Sequence, residues 1–101
     1  MTETYEYLHK LLGACCRVTN ANPCIFHTKQ RDAVAARSLF YSYLRHECGM
    51  RWEPMARLTG HTHPVAYTLA GPRAKQRFTP EQYEQVVWWM SDIERPAELR
   101  A

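Results

Sequence analysis

The stretch RWEPMARLTGHTHPVAYTLA, residues 51–70, decides the fold. It predicts two short helices joined by a tight turn. Pro54 suits the first turn of a helix, where its missing N–H would have found no partner. Met55 and Leu58, three apart, give that helix one apolar face. Gly60 admits a positive-φ turn. Thr62 then caps a second helix, with Pro64 in its first turn. Val65 and Leu69, four apart, share the face that docks on the protein, leaving His63, Tyr67 and Thr68 on the remaining surface. This is helix-turn-helix geometry, in which the second helix can enter a DNA major groove. A helical hairpin without any nucleic-acid role has the same pattern, so the rest of the chain has to weigh in.

Charge weighs toward nucleic acid. The chain has 101 residues and a formal net charge of +3. Residues 27–77 hold nine Lys and Arg against three Asp and Glu, whereas residues 78–101 hold two against five. Positive charge therefore gathers around residues 51–70, as a surface facing phosphates requires. A solvated Arg-rich helical surface is the competing account.

The length predicts one domain, 1–101, and 46% hydrophobic residues exclude a disordered tail. No apolar run approaches the roughly 20 residues of a membrane helix. The acidic, aromatic start MTETYEYLHK is unlike a secretory signal. A cytoplasmic, non-membrane protein is expected. Cys15, Cys16, Cys24 and Cys48 contain no CxxC pair and read as free thiols, some buried as small hydrophobes. A zinc site from His46, Cys48, His61 and His63 is the sharper alternative, but His46-x-Cys48 and His61-x-His63 are spaced too closely for it. No metal and no cofactor are expected.

Outward from the centre, residues 4–17 predict a helix with Tyr5, Leu8, Leu12 and Cys15/Cys16 on one stripe; Gly13 weakens it. Residues 18–27 form a connector punctuated by Asn20, Asn22 and Pro23, from which Ile25 and Phe26 fold back on the core. Thr28 caps a helix over 29–47. Ala33, Ala36, Phe40, Tyr43 and Leu44 lie on one side of it, and Arg31, Ala35, Ser38, Ser42 and Arg45 on the other. Arg37 sits at the edge of the apolar face with its stem buried. Gly49 ends the helix as its C′ residue.

With Arg31, Val34, Ala36, Arg37, Tyr43, Leu44, Met55, Ala56, Leu58, Gly60, His63 and Val65 in place, residues 5–70 resemble the C-terminal DNA-binding domain of the bacterial replication initiator DnaA. That family has a basic helix entry, V-x-A-R, a -YL- step, a helix ending near L-G, and a histidine-containing reading helix. The resemblance implies an all-helical domain of Trp-repressor-like fold that binds duplex DNA. It implies base reading in the major groove from the histidine segment and minor-groove contact from the basic helix entry. The chain departs from the family at the reading segment. Thr62 stands where the family has aspartate, and Pro64 alone separates His63 from Val65, where the family has two residues. Another alignment sets His61 at the aspartate and Thr62 at the histidine. In both, the base-reading chemistry differs, so the initiator's target sequence does not carry over. The initiator's ATPase domain has no counterpart here, and a stand-alone relative of mobile-element or phage type is expected.

After residue 70, Gly71-Pro72 stop the reading helix, and Arg73, Lys75 and Arg77 form a basic strap. Thr79-Pro80-Glu81-Gln82 start an added C-terminal helix, about 80–94. Tyr83, Val86, Val87, Met90 and Ile93 share its core face; Trp88 points nearly opposite, with Trp89 on the flank. Exposure of Trp88 would mark a surface for another protein or a second copy of the chain; a broad buried face between helices is the alternative. The end, RPAELRA, is expected to fray.

The fold expected is all-α: a helical bundle with a helix-turn-helix at 52–70 and the added helix. Its expected activity is double-stranded DNA binding, with Thr62, His63 and Tyr67 at base edges and Lys29, Arg31, Arg73, Lys75 and Arg77 at phosphates or the minor groove. The alternative is a protein-interaction adaptor that keeps the fold and has lost sequence-specific DNA binding. No phosphate loop, HExxH or G-x-S-x-G occurs, and nothing orients Cys48 against His46 or His63 as a thiol–histidine pair, so no catalysis is expected.

Overall fold

A computed structural model of the chain describes residues 2–21, 31–51, 53, 54, 57 and 77–99. Among those residues it has three continuous α-helices in chain order: α1, Thr2–Thr19; α2, Arg31–His46; and α3, Pro80–Met90. A short 3₁₀ turn follows at Ala97–Leu99. Among the described residues there is no strand, and no helix is long and apolar enough to cross a membrane. The radius of gyration is 12.2 Å, near the ~13 Å of a globular chain of about 100 residues. Thr28, Ile25 and Phe26 lie outside the described residues.

Helix α1 starts two residues before the predicted span and ends two after it. Glu3 in its first turn and Arg17 in its last suit the helix dipole. Gly13 does not interrupt it. The helix ends in a Schellman motif: the Ala21 N–H donates to the Cys16 carbonyl at 2.9 Å and the Asn20 N–H to the Arg17 carbonyl at 3.4 Å. Asn20 takes the left-handed position, φ 59°, which asparagine tolerates better than most residues. The Thr19 hydroxyl donates back to the Cys15 carbonyl at 2.8 Å.

The buried stripe of α1 is the predicted one only in part: Leu8, Cys15 and Cys16 are buried as expected, but Tyr5 and Leu12 are not. Tyr7, Leu8, Leu11 and Cys15 are in the core, whereas Tyr5 is 54% exposed and Leu12 only half-buried. The stripe through Thr4, Tyr7, Leu11 and Cys15 keeps helical spacing too, rotated by one position, so sequence period alone left the choice open.

Helix α2 packs along α1 and is the pillar of the fold. From Ala36 to Leu44 every residue except half-buried Arg37 is buried. This corrects the two-sided reading, since Ser38 and Ser42 are 0% and 2% exposed, on the side expected to face solvent. Their hydroxyls have no hydrogen-bond partner among the described residues. Small residues there allow close packing on both flanks. Gly49 has φ 67° beyond the helix end, where the Met50 N–H donates to the Leu44 carbonyl at 3.1 Å. Arg45 Nη1 donates to the Met50 carbonyl at 2.8 Å and holds the turn in place.

Helix α3 begins with the expected capping box. The Thr79 hydroxyl accepts from the Gln82 N–H at 3.1 Å, and Gln82 Oε1 accepts from the Thr79 N–H at 2.9 Å, with Pro80 in the first turn. It ends at Met90 rather than near residue 94. Ser91 stops it, because its hydroxyl and its N–H both turn back to the Trp88 carbonyl, at 2.7 and 3.2 Å. Val86 and Met90 are buried, and Tyr83, Val87 and Ile93 pack partly against the core.

The expected fraying of RPAELRA is corrected for residues 95–99; residues 100 and 101 lie outside the described residues. Leu99 is 1% exposed, inside the core. Burying a leucine contributes roughly 1.5–3 kcal/mol, enough to hold residues 94–99 down without a long helix. Cys15, Cys16 and Cys48 are buried free thiols, as expected; Cys24 lies outside the described residues.

Candidate functional site

Of the residues expected to meet DNA, Thr62, His63, Tyr67, Lys29, Arg73 and Lys75 lie outside the described residues. Arg31 is the first residue of α2. Arg77 is half-buried, two residues before the Thr79 cap, and is engaged by an interaction of its own. In the first half of the predicted helix-turn-helix, Glu53, Pro54 and Arg57 are helical and exposed. The Glu53 carboxylate and Arg57 guanidinium pair at 3.1 Å, four residues apart. That spacing is one helical turn, as the Pro54 reading requires. Both side chains are about three-quarters exposed, so the pair contributes little stability.

Trp88 is 67% exposed and Trp89 40%. Their rings meet edge to face, centroids 5.0 Å apart at 78°. The Arg17 guanidinium lies 4.7 Å from the Trp89 ring centroid, a cation–π contact across from α1. The exposed side of α3 also carries Glu81, Glu84 and Gln85.

A third constellation escaped the sequence reading. Arg95 reaches back to α2, where its Nη1 donates to the Glu47 carbonyl at 2.7 Å. A cation there suits the carbonyl-rich end of a helix. Its guanidinium lies 6.0 Å from the Tyr43 ring centroid, and the Tyr7 and Tyr43 hydroxyls near it favour its charged form. The two phenol oxygens are 2.8 Å apart and buried. Tyr83 donates to the Glu47 carboxylate at 3.1 Å. Burial first, then the Tyr7 hydrogen bond, holds the Tyr43 phenol above the usual tyrosine range. Burial and the Glu47 charge do the same to Tyr83. Burial alone would lower Arg95, but its phenol partners outweigh it and raise it. A cleft of about 310 Å³ opens beside Tyr43, Glu47, Met90, Ile93 and Arg95. This group ties the C-terminal residues to α1 and α2. Tyr43 and Tyr83 hold their protons and Arg95 its charge, so none of the three offers a nucleophile at neutral pH. The sequence signal available was a lone arginine before a proline in an acidic tail, which does not announce such a role.

Cys48 also fails as a nucleophile. It is 1% exposed, and burial pushes its thiol up to about 11, far from the thiolate that reactivity needs. No family model, curated protein or solved structure gives a significant match to this chain.

Proposed function

We propose that the chain binds double-stranded DNA through a helix-turn-helix at 52–70, in a regulatory or mobile-element role. One observation carries the reading: charge is segregated along the chain. Residues 27–77 hold nine Lys and Arg against three acids, while residues 78–94 hold no Lys or Arg at all. A basic surface draws its affinity from counterion release. The helical, exposed turn at Glu53, Pro54 and Arg57 and the resemblance to the initiator's DNA-binding domain support the same reading. Thr62, His63 and Tyr67 would read bases, and Lys29, Arg31, Arg73, Lys75 and Arg77 would hold phosphates or the minor groove.

The test is fluorescence anisotropy against a random-sequence duplex pool at two salt concentrations. Binding should fall steeply with salt. His63→Ala should then relax the selected site by about 1–3 kcal/mol at one or two base pairs. Arg31→Ala should weaken all sequences alike and lower the salt slope by about one. No binding at low salt would end this reading.

The exposure of Trp88 favours a second reading, an interaction adaptor that keeps the fold without sequence-specific DNA binding. Trp88→Ala that changes assembly while DNA affinity stays intact separates the two surfaces.

A further inference from the structure

We infer that the exposed face of α3 is a docking surface for a basic segment of a partner protein, an Arg- or Lys-rich peptide whose guanidinium or ammonium group seats on Trp88. This reading of the adaptor surface does not depend on whether residues 52–70 bind DNA.

Three observations carry it. Trp88 is the most exposed large hydrophobic among the described residues, at 67%, on a helix whose opposite face is buried through Val86 and Met90. It therefore belongs to a surface left over after the core is complete. The charge that α3 and the turn after it contribute around Trp88 has one sign. Glu81, Glu84 and Asp92 are exposed with Trp88, at spacings that keep Glu81, Glu84 and Trp88 on one side of the helix. No Lys or Arg occurs from 78 to 94. Finally, the neighbouring indole already engages such a cation: Arg17 sits 4.7 Å from the Trp89 centroid. Trp89 meets Trp88 edge to face, so the second ring is not stacked flat on the first. A guanidinium on Trp88 would extend the pattern from Arg17 outward, with the flanking carboxylates as counter-charges. The same negative face repels a nucleic-acid backbone, so it points to a protein cation rather than to DNA.

The test uses the full chain, uniformly ¹⁵N-labelled, with an octa-arginine peptide as probe and an octa-glutamate peptide as control. The indole N–H signals of Trp52, Trp88 and Trp89 are followed, with W88A supplying the assignment. Octa-arginine should shift the Trp88 and Trp89 signals saturably, and octa-glutamate should not. W88A should weaken binding about tenfold. E81Q combined with E84Q should weaken it about threefold, as expected of exposed charges. Trp88 is exposed, so W88A folds, which circular dichroism verifies. Unchanged octa-arginine affinity in W88A would overturn the proposal. Shifts of the same indoles by a random duplex pool would assign the face to DNA instead. Sedimentation velocity showing Trp88-dependent self-association without peptide would assign it to a second copy of the chain.

Discussion

Helices α2 and α3 are built on opposite plans. In α2, eight of the nine residues from Ala36 to Leu44 are buried, two serines among them. In α3, only Val86 and Met90 of eleven are buried, and two tryptophans stand exposed. The first is held along its length by packing. The second is fixed at its ends, by the Thr79–Gln82 box and the Ser91 turn, and along one narrow stripe. A stretch held all round, as Ala36–Leu44 is, has nothing to present; a helix held at its ends and on one edge has a face to spare. The difference locates stability in α2 and assigns recognition to the surfaces around it.

The comparison breaks first on Leu44→Ala. Leu44 is 0% exposed on α2, so the truncation should cost about 3 kcal/mol in urea unfolding followed by circular dichroism. A loss below about 1 kcal/mol would mean the pillar can collapse onto a cavity, and α2 would lose its special place.

The next effect is alkaline. The ordinary Cys48 thiol titrates near 9 and burial raises it to about 11. The unfolded chain thus gives up its proton first. Stability is fully present below pH 9 and falls as pH rises through 11, by roughly 2–3 kcal/mol from this group. Tyr43 and Tyr83, also raised, extend the loss to higher pH. Burial also raises the Cys15 and Cys16 thiols, which share this window, so Cys48→Ala should shrink the fall in denaturation midpoint between pH 9 and 10 without abolishing it.

Thr79→Ala removes one capping bond from α3 and should cost about 1 kcal/mol, read as a shift in thermal midpoint. A much larger cost would show that the ends of α3 carry more than the cap. The smallest effect belongs to Trp88→Ala. With no core contact to lose, it should leave stability within about 0.5 kcal/mol in the same urea assay, and a larger drop would make Trp88 part of the packing.

The parts of the fold that were legible in sequence are those set by neighbours in the chain. Thr79, Pro80 and Gln82 announce a helix start because the capping box is closed within four residues. Gly49 announces a stop because left-handed backbone suits glycine. Val86 and Met90 follow from helical spacing alone. Apart from the end of α3, which the local Ser91 turn sets, the misreadings depend on contacts far along the chain. Ser38 and Ser42 look like a solvent face until other elements cover them. Tyr5 and Tyr7 stand on different faces of α1, each in helical register with its own set of apolar residues, and packing against the rest of the chain chooses between them. RPAELRA has no periodicity, yet Arg95 finds the end of α2 and Leu99 finds the core. Of the proposed DNA site, sequence supplied the helix-turn-helix pattern and the basic charge; structure adds the helical turn at Glu53, Pro54 and Arg57.

The buried thiols make the protein its own gauge of opening. Cys15 and Cys16 are 0% and 3% exposed on α1, and Cys48 is 1% exposed just past α2, so a thiol reagent can modify them only when the surrounding structure parts. Cys48 is within reach of a partial release, in which Arg95 lets go of the Glu47 carbonyl, while Cys15, 0% exposed in the C-terminal part of α1, reports wider separation of the helices. The modification rates of the two positions therefore divide local breathing from global unfolding without any label added to the chain.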